Sequence, residues 1–147
     1  MQINWKILEF NEISINESYD LFQLRSKIFV LEQNCIYLDL DGKDKEAIHI
    51  LGYFKKKIIA CARLIINNKK YFYIGRIAVD KNYRKKYIGE KLVKECLNQL
   101  KKKEEKKRIK ISAQSHLEIF YNKLGFSKKG EEYLEDGITH IAMYYLD

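Results

Sequence analysis

Apolar residues at Ile88, Leu92, Val93, Cys96, Leu97 and Leu100 recur at three- and four-residue steps, with polar side chains between them. That spacing places one apolar stripe along a helix beginning near Tyr87. The segment before it, Tyr71 to Val79, is β-branched and aromatic and predicts a strand. Between strand and helix lies "DKNYRKKYIG", with Arg84, Lys85 and Lys86 in a row and Gly89 in the first helical turn.

The same reading extends along the chain. Asn4 to Phe10 alternates as a first strand, and Asn16 to about Gln33 carries helical spacing, broken once, with Ser14 or Asn16 as its cap. "NCIYLDLDGKDKEA" is an acidic, turn-forming loop. Ile48 to Phe54 and Ile58 to Ile66 form strands around a "KKK" hairpin at 55–57, and "NNKK" at 67–70 turns the chain into the strand at Tyr71. Ile109 to Ala113 is a short strand. Leu117, Phe120, Tyr121 and Leu124 suit a short helix that Gly125 ends. The last segment predicts two strands around "EDG". The order β-α-ββ-β-α-β-α-ββ implies an α/β chain with a mixed sheet and helices on both faces, a single domain over 1–147. Adjacent strands in the first half, and the lack of a GxGxxG fingerprint, argue against an all-parallel dinucleotide fold.

Composition narrows the classes. Hydrophobic residues at 46% and charged residues at 33% describe a globular, well-solvated chain. No apolar run approaches the roughly 20 residues that span a bilayer. "MQINWKILEF" has neither the charged nor the apolar region of a signal peptide, so cytoplasmic residence and no membrane partner are the expectations. Cys35, Cys61 and Cys96 are widely spaced with no metal-ligand pattern, so no metal is expected and reduced thiols are. The net charge of +8 favours an anionic partner. The lysines are spread over turns and helix ends, which argues against nucleic acid.

A strand, a basic loop and a helix start form a geometry that binds phosphate, because the first helical N–H groups lack internal partners. Spacing alone leaves a solvated surface loop equally open. The acidic residues Glu32, Asp39, Asp41 and Asp44 have two readings: a carboxylate-lined pocket for a cationic amine, or plain turn chemistry at "DLDGKD". The helix and the closing glutamate of a calcium loop are missing there. Arg25 and Arg76, on half-buried elements, call for partners, and salt bridges to this loop are the preferred account.

Two further segments bear on the loop. "RKKYIG" resembles motif A, R/Q-x-x-G-x-G/A, of the GNAT superfamily of acyl-CoA N-acyltransferases, with Tyr87 in place of the first glycine. "IFYNKLGF" resembles the superfamily's "LYEKLGF". Together with "LRSKIFVLEQNCIYLDLDGKD", "HILGYF", "IGRIAV", "SAQSHLEIFYNKLGF" and "YLEDGITHIAM", these segments resemble the ElaA-like branch from Trp5 to Met143. The resemblance implies the GNAT fold, with acetyl-CoA lying between two splayed parallel strands. By that resemblance Ile77, Ala78 and Val79 contact the pantetheine arm. Arg84, Lys85, Lys86, Tyr87, Ile88 and Gly89 hold the pyrophosphate, chiefly through backbone N–H groups. Gln114 takes the place of a pantetheine-binding Asn, and Phe120 is either core or a wall of the slot.

The implied reaction is attack of a neutral primary amine on the thioester, on a small molecule or a protein. Backbone N–H groups near Ile77 would stabilise the oxyanion, and Tyr121 would act as general acid. His140, His49 and Glu32 are the candidates for the base or for substrate contacts, and His116 is read as local packing. A non-catalytic acyl-CoA sensor on the same fold is the alternative. A homodimer through terminal strands is compatible with the resemblance.

Overall fold

The computed structural model describes residues 1–146. Its core is a sheet of β1 (Asn4–Glu9), β2 (Ile48–Phe54), β3 (Lys57–Ile65), β4 (Tyr71–Val79), β5 (Arg108–Gln114), β6 (Phe126–Lys128), β7 (Tyr133–Glu135) and β8 (Ile138–Tyr145). The order is β1-β2-β3-β4-β5-β8-β6, with β7 added on β8. β4 and β5 are parallel, whereas the neighbouring pairs are antiparallel.

Helices cover both faces. The stripe that begins at Ile88 becomes α2 (Ile88–Lys101), and its six apolar residues are all buried. They pack on Ile50, Ala60, Ala62, Leu64, Phe72 and Ile74. At about 1.5–3 kcal/mol for each large side chain, this burial alone explains why the segment holds as a helix despite its many lysines. α1 (Ile15–Arg25) seats Leu21 and Leu24 against Leu51, Cys61 and Ala78, which alternate with the α2-facing residues and so lie on the opposite face. α3 (Glu118–Lys123) is the short third helix.

The cap of α1 is Ser14. Its Oγ accepts from the Glu17 N–H at 3.1 Å, and the Glu17 carboxylate accepts from the Ser14 N–H at 3.1 Å, a reciprocal box. The expected break falls at Ser26, where the helix widens into a π-helical segment, Ser26–Glu32. Its wider turn shows in the Cys35 N–H donating to the Val30 carbonyl. Asp136 and Gly137 both have positive φ, as the "EDG" hairpin requires. Gly125 has φ +98°, and a Cβ there would meet the Tyr145 ring at 2.9 Å, so only glycine fits. β6 was not anticipated from the sequence. Three residues are too few to show alternation, and the strand exists because β8 offers a free edge there.

Candidate acyl-transfer site

The β4–β5 ladder pairs only Tyr71, Phe72 and Tyr73 with Arg108, Ile109 and Lys110. Beyond that point the strands part, and β4 continues to Val79 while β5 continues to Gln114. The parting coincides with a bulge. On β3, Cys61 to Arg63 spans two steps, while the paired residues Ala78 and Gly75 span three. The extra residue bends β4, and Arg76 takes a left-handed φ of 48° to accommodate it. The result is a wedge with backbone N–H and C=O groups of Ile77 to Val79 freed from β5, the geometry needed to pair with an extended polar ligand.

A cavity of about 130 Å³ fills the wedge. Ile77, Gln114, Tyr121 and His140, all singled out from the sequence, line it together. Ser112, Glu135, Asp136, Cys35, Tyr37 and Arg76 complete much of its wall. It opens beside a wider cleft of about 850 Å³ that shares Tyr37, Arg76, Ser112, Glu135 and Asp136.

His140 is 7% exposed. Its Nδ1 lies 2.7 Å from the Ile138 carbonyl, which can only accept, so Nδ1 carries a proton and Nε2 is the ring nitrogen turned away from that bond. Nε2 is 3.5 Å from a Glu135 carboxylate oxygen, and the ring stacks on Tyr133 at 6.3 Å. The Tyr133 hydroxyl and Glu135 both hydrogen-bond Ser112 Oγ across the small Ala142. Tyr121 is buried edge-on between Phe120 and Phe126, and burial pushes its phenol well above the usual tyrosine range. It is therefore protonated at neutral pH, the form a proton donor needs.

The basic loop curls through two left-handed residues, Lys85 (φ 64°) and Tyr87 (φ 60°). Tyr87 thus keeps the backbone conformation that glycine would adopt without strain, at a cost of about 1–2 kcal/mol. α2 starts at Ile88, so its first N–H groups face the loop. Gly89 is helical. A Cβ on it would point into the space toward Phe120, 3.6 Å from Cζ, with Val79 at 4.0 Å. Lys86 and Lys85 are exposed, and Ala78 is buried under α1. The residues present fit an acyl-CoA: free strand edges for an amide-bearing arm, and helix N–H groups with basic residues for phosphates.

The remaining candidates lie elsewhere. His49 is 1% exposed, bonded to the Asp44 carbonyl at 2.9 Å through Nε2, and lies outside the cavity lining. It is a core residue, since burial forces it to take a backbone partner. Glu32 also lies outside the lining and is held by Arg84 at 2.6 and 3.0 Å. Arg84 in turn donates from Nε to the Val79 carbonyl, so its side chain ties the loop to β4 and to the π-helical segment.

The acidic loop is mostly consumed by arginines. Arg25 bonds Asp39 at 2.9 Å and Asp44 at 2.7 Å, and Arg63 bonds Asp41 at 2.9 Å and Asp44 at 3.2 Å. Arg76 lies 2.7 Å from Asp39 and 3.3 Å from Asp41. The salt-bridge reading of Arg25 and Arg76 therefore holds, and the cavity carboxylates that no arginine holds are Glu135 and Asp136 from the last hairpin. In sequence these two belong to the "EDG" turn that leads into the strand of His140. Ser112, Tyr133 and Tyr37 were missed; the outward register of β5 was a signal for Ser112 alone.

A mixed sheet opened at one parallel pair, with a loop–helix start at the mouth of the opening, is the architecture of an acyl-CoA-binding acyltransferase. Comparison with known proteins agrees. Residues 29–146 match the model of the acetyltransferase (GNAT) domain family. Escherichia coli ElaA is 37% identical over 145 residues, 96% of this chain and 95% of ElaA. A UPF0039 protein of Synechocystis is 38% identical over 148 residues, 99% of this chain and 96% of that protein. The crystal structure of E. coli ElaA superposes with a TM-score of 0.93 at 36% identity, covering 99% of this chain and 100% of that one. An acyl-CoA N-acyltransferase from Pseudomonas aeruginosa gives 0.93 at 30% identity, with 99% and 100% coverage. The chain belongs to the GNAT acetyltransferase family, and within it to the group similar to ElaA.

Proposed function

We propose that the chain transfers an acetyl group from acetyl-CoA to a primary amine by direct attack. The observation that carries this reading is the joining of Ile77, Gln114, Tyr121 and His140 around one small cavity in the wedge. Acetyl-CoA supplies the activated thioester. The edge of β4 from Ile77 to Val79, freed from β5, and the Gln114 amide hold the pantetheine arm. The N–H groups from Arg84 to Gly89 hold the phosphates, with Lys85 and Lys86 adding attraction at longer range. His140 Nε2 accepts the proton of the attacking amine, and Glu135 at 3.5 Å stabilises the imidazolium that forms. Tyr121 donates its proton to the departing sulfur. Cytoplasmic residence fits the three free, buried cysteines. Among the described residues no helix is long and apolar enough to cross a membrane.

Calorimetry with acetyl-CoA, paired with thiol release over an amine panel, tests the reading. The wild type should bind and turn over. Tyr121→Phe and His140→Gln should each lower kcat on the order of a hundredfold, with acetyl-CoA affinity little changed. Absence of binding defeats the proposal. Binding without thiol release for any amine would instead favour an acyl-CoA sensor.

A further inference from the structure

The basic side chains that look dispersed in sequence are partly gathered by the sheet. In β5, burial alternates strictly: Ile109, Ile111 and Ala113 face the core, while Arg108, Lys110, Ser112 and Gln114 face out. Lys110 stands beside Tyr73 on β4 and opposite Tyr144 on β8. Its ammonium lies 5.2 Å from the Tyr71 ring centre, 6.0 Å from Tyr73 and 5.6 Å from Tyr144. The Arg108 guanidinium lies 4.4 Å over Tyr144, and Lys70 lies 5.4 Å over Tyr71. None of these three cations has an ion-pair partner among the described residues.

This shelf is continuous with the candidate active site. Gln114 pairs with His140 in the same register that pairs Lys110 with Tyr144. Four residue steps therefore separate the shelf from the base, about 13 Å of extended strand. Tyr73 and Ser112 line the open cleft between them. Glu135 and Asp136 line the cleft on the His140 side, while Lys110 and Arg108 stand outward on β5 beyond Ser112.

We infer that the acceptor is the N-terminal segment of an acidic peptide, laid along β5 with its amine at His140 and acidic side chains about four residues downstream over Lys110 and Arg108. This rests on the acetyl-transfer reading and names its acceptor class. The carboxylates at the cavity end attract an ammonium, and the cations at the outer end attract carboxylates, so the charge pattern also fixes the peptide's direction. A nucleic-acid strand fits less well. The ring faces are already taken by cations, the neighbouring rings are tilted by 49° and 72°, and the cavity end would repel phosphate.

Two pentapeptides test this. They share their first three residues and end in two glutamates or two lysines, with a fluorophore at the C-terminus. Each is assayed for thiol release with acetyl-CoA and for binding by anisotropy with coenzyme A present. The wild type should favour the acidic peptide by roughly tenfold in kcat/KM, on the order of what a few screened ion pairs supply together. Salt should erode the preference. Lys110→Gln should shrink it, and the Lys110→Glu, Arg108→Glu double variant should invert it. Equal use of both peptides, or a preference that survives charge reversal, overturns the inference. So does a single-stranded oligonucleotide that outcompetes the acidic peptide, or a dimer that the double variant splits in light scattering. If no amine releases thiol, the acetyl-transfer reading falls, while anisotropy still decides whether the shelf selects the acidic peptide.

Discussion

Replacing Arg25 with methionine removes the centre of the buried charge network while keeping much of the side chain's volume. Arg25 is 1% exposed, and its two carboxylate partners, Asp39 and Asp44, are 7% and 5% exposed. Asp44 would keep only Arg63 at 3.2 Å, and Asp39 would keep Arg76 and the Tyr37 hydroxyl at 2.8 Å. Breaking a buried pair from one side costs about 3–5 kcal/mol, because a desolvated charge stays behind. Set against a total stability of about 5–15 kcal/mol, that is a large share. At about 2–4 °C per kcal/mol for a chain of this size, Tm should fall by roughly 6–20 °C. Urea unfolding followed by circular dichroism measures the loss, and an Arg25→Met, Asp44→Asn cycle isolates the pair.

The pH dependence adds a second check. Burial raises the Asp44 carboxyl, but the Arg25 hydrogen bond and charge outweigh it, so the net shift is downward. A depressed carboxyl contributes stability above its unfolded value of about 3.9, and that contribution is lost as pH falls. The gap between wild type and variant should therefore narrow from pH 5 toward pH 3. A loss below about 1 kcal/mol, or a gap that does not change with pH, would refute the view of this network as a buried, mutually compensating set.

Gly89→Ala should leave stability unchanged or raise it by about 0.5–1 kcal/mol, since the backbone is helical and the new methyl meets Phe120 at an ordinary 3.6 Å. Gly89→Val should weaken coenzyme A binding in calorimetry much more than Lys85→Ala or Lys86→Ala does, and lysines that dominate would mean simple charge attraction. Burial pushes the His49 imidazole down, against its bond to the Asp44 carbonyl. Below about pH 6.5 the unfolded chain then binds a proton that the folded chain does not, so stability falls with pH. His49→Gln should remove that part of the slope in urea titrations between pH 7 and 5, and an unaltered slope would count against the buried, neutral assignment.

Local pattern was enough for much of this protein. The α2 stripe, the Ser14 cap among its two candidates, the "EDG" turn and Gly125 all follow from interactions within a few residues, where spacing and stereochemistry decide. The switch from period two to period 3.6 after Val79 also marked the loop–helix start. Tertiary structure decided what depends on distance through space. Glu32 and Arg84 are 52 residues apart, and only the packing of the π-helical segment against the loop makes them partners. Which arginines neutralise Asp39, Asp41 and Asp44 could not be read from a row of carboxylates, because burial and geometry apportion the pairs. His49 and His140 look alike as strand histidines beside acidic residues. Sheet register puts one in the core and the other on the wall of the wedge. The same register lines up Lys110 and Arg108 with three tyrosines, because side chains far apart in the chain meet only when strands from different segments pair.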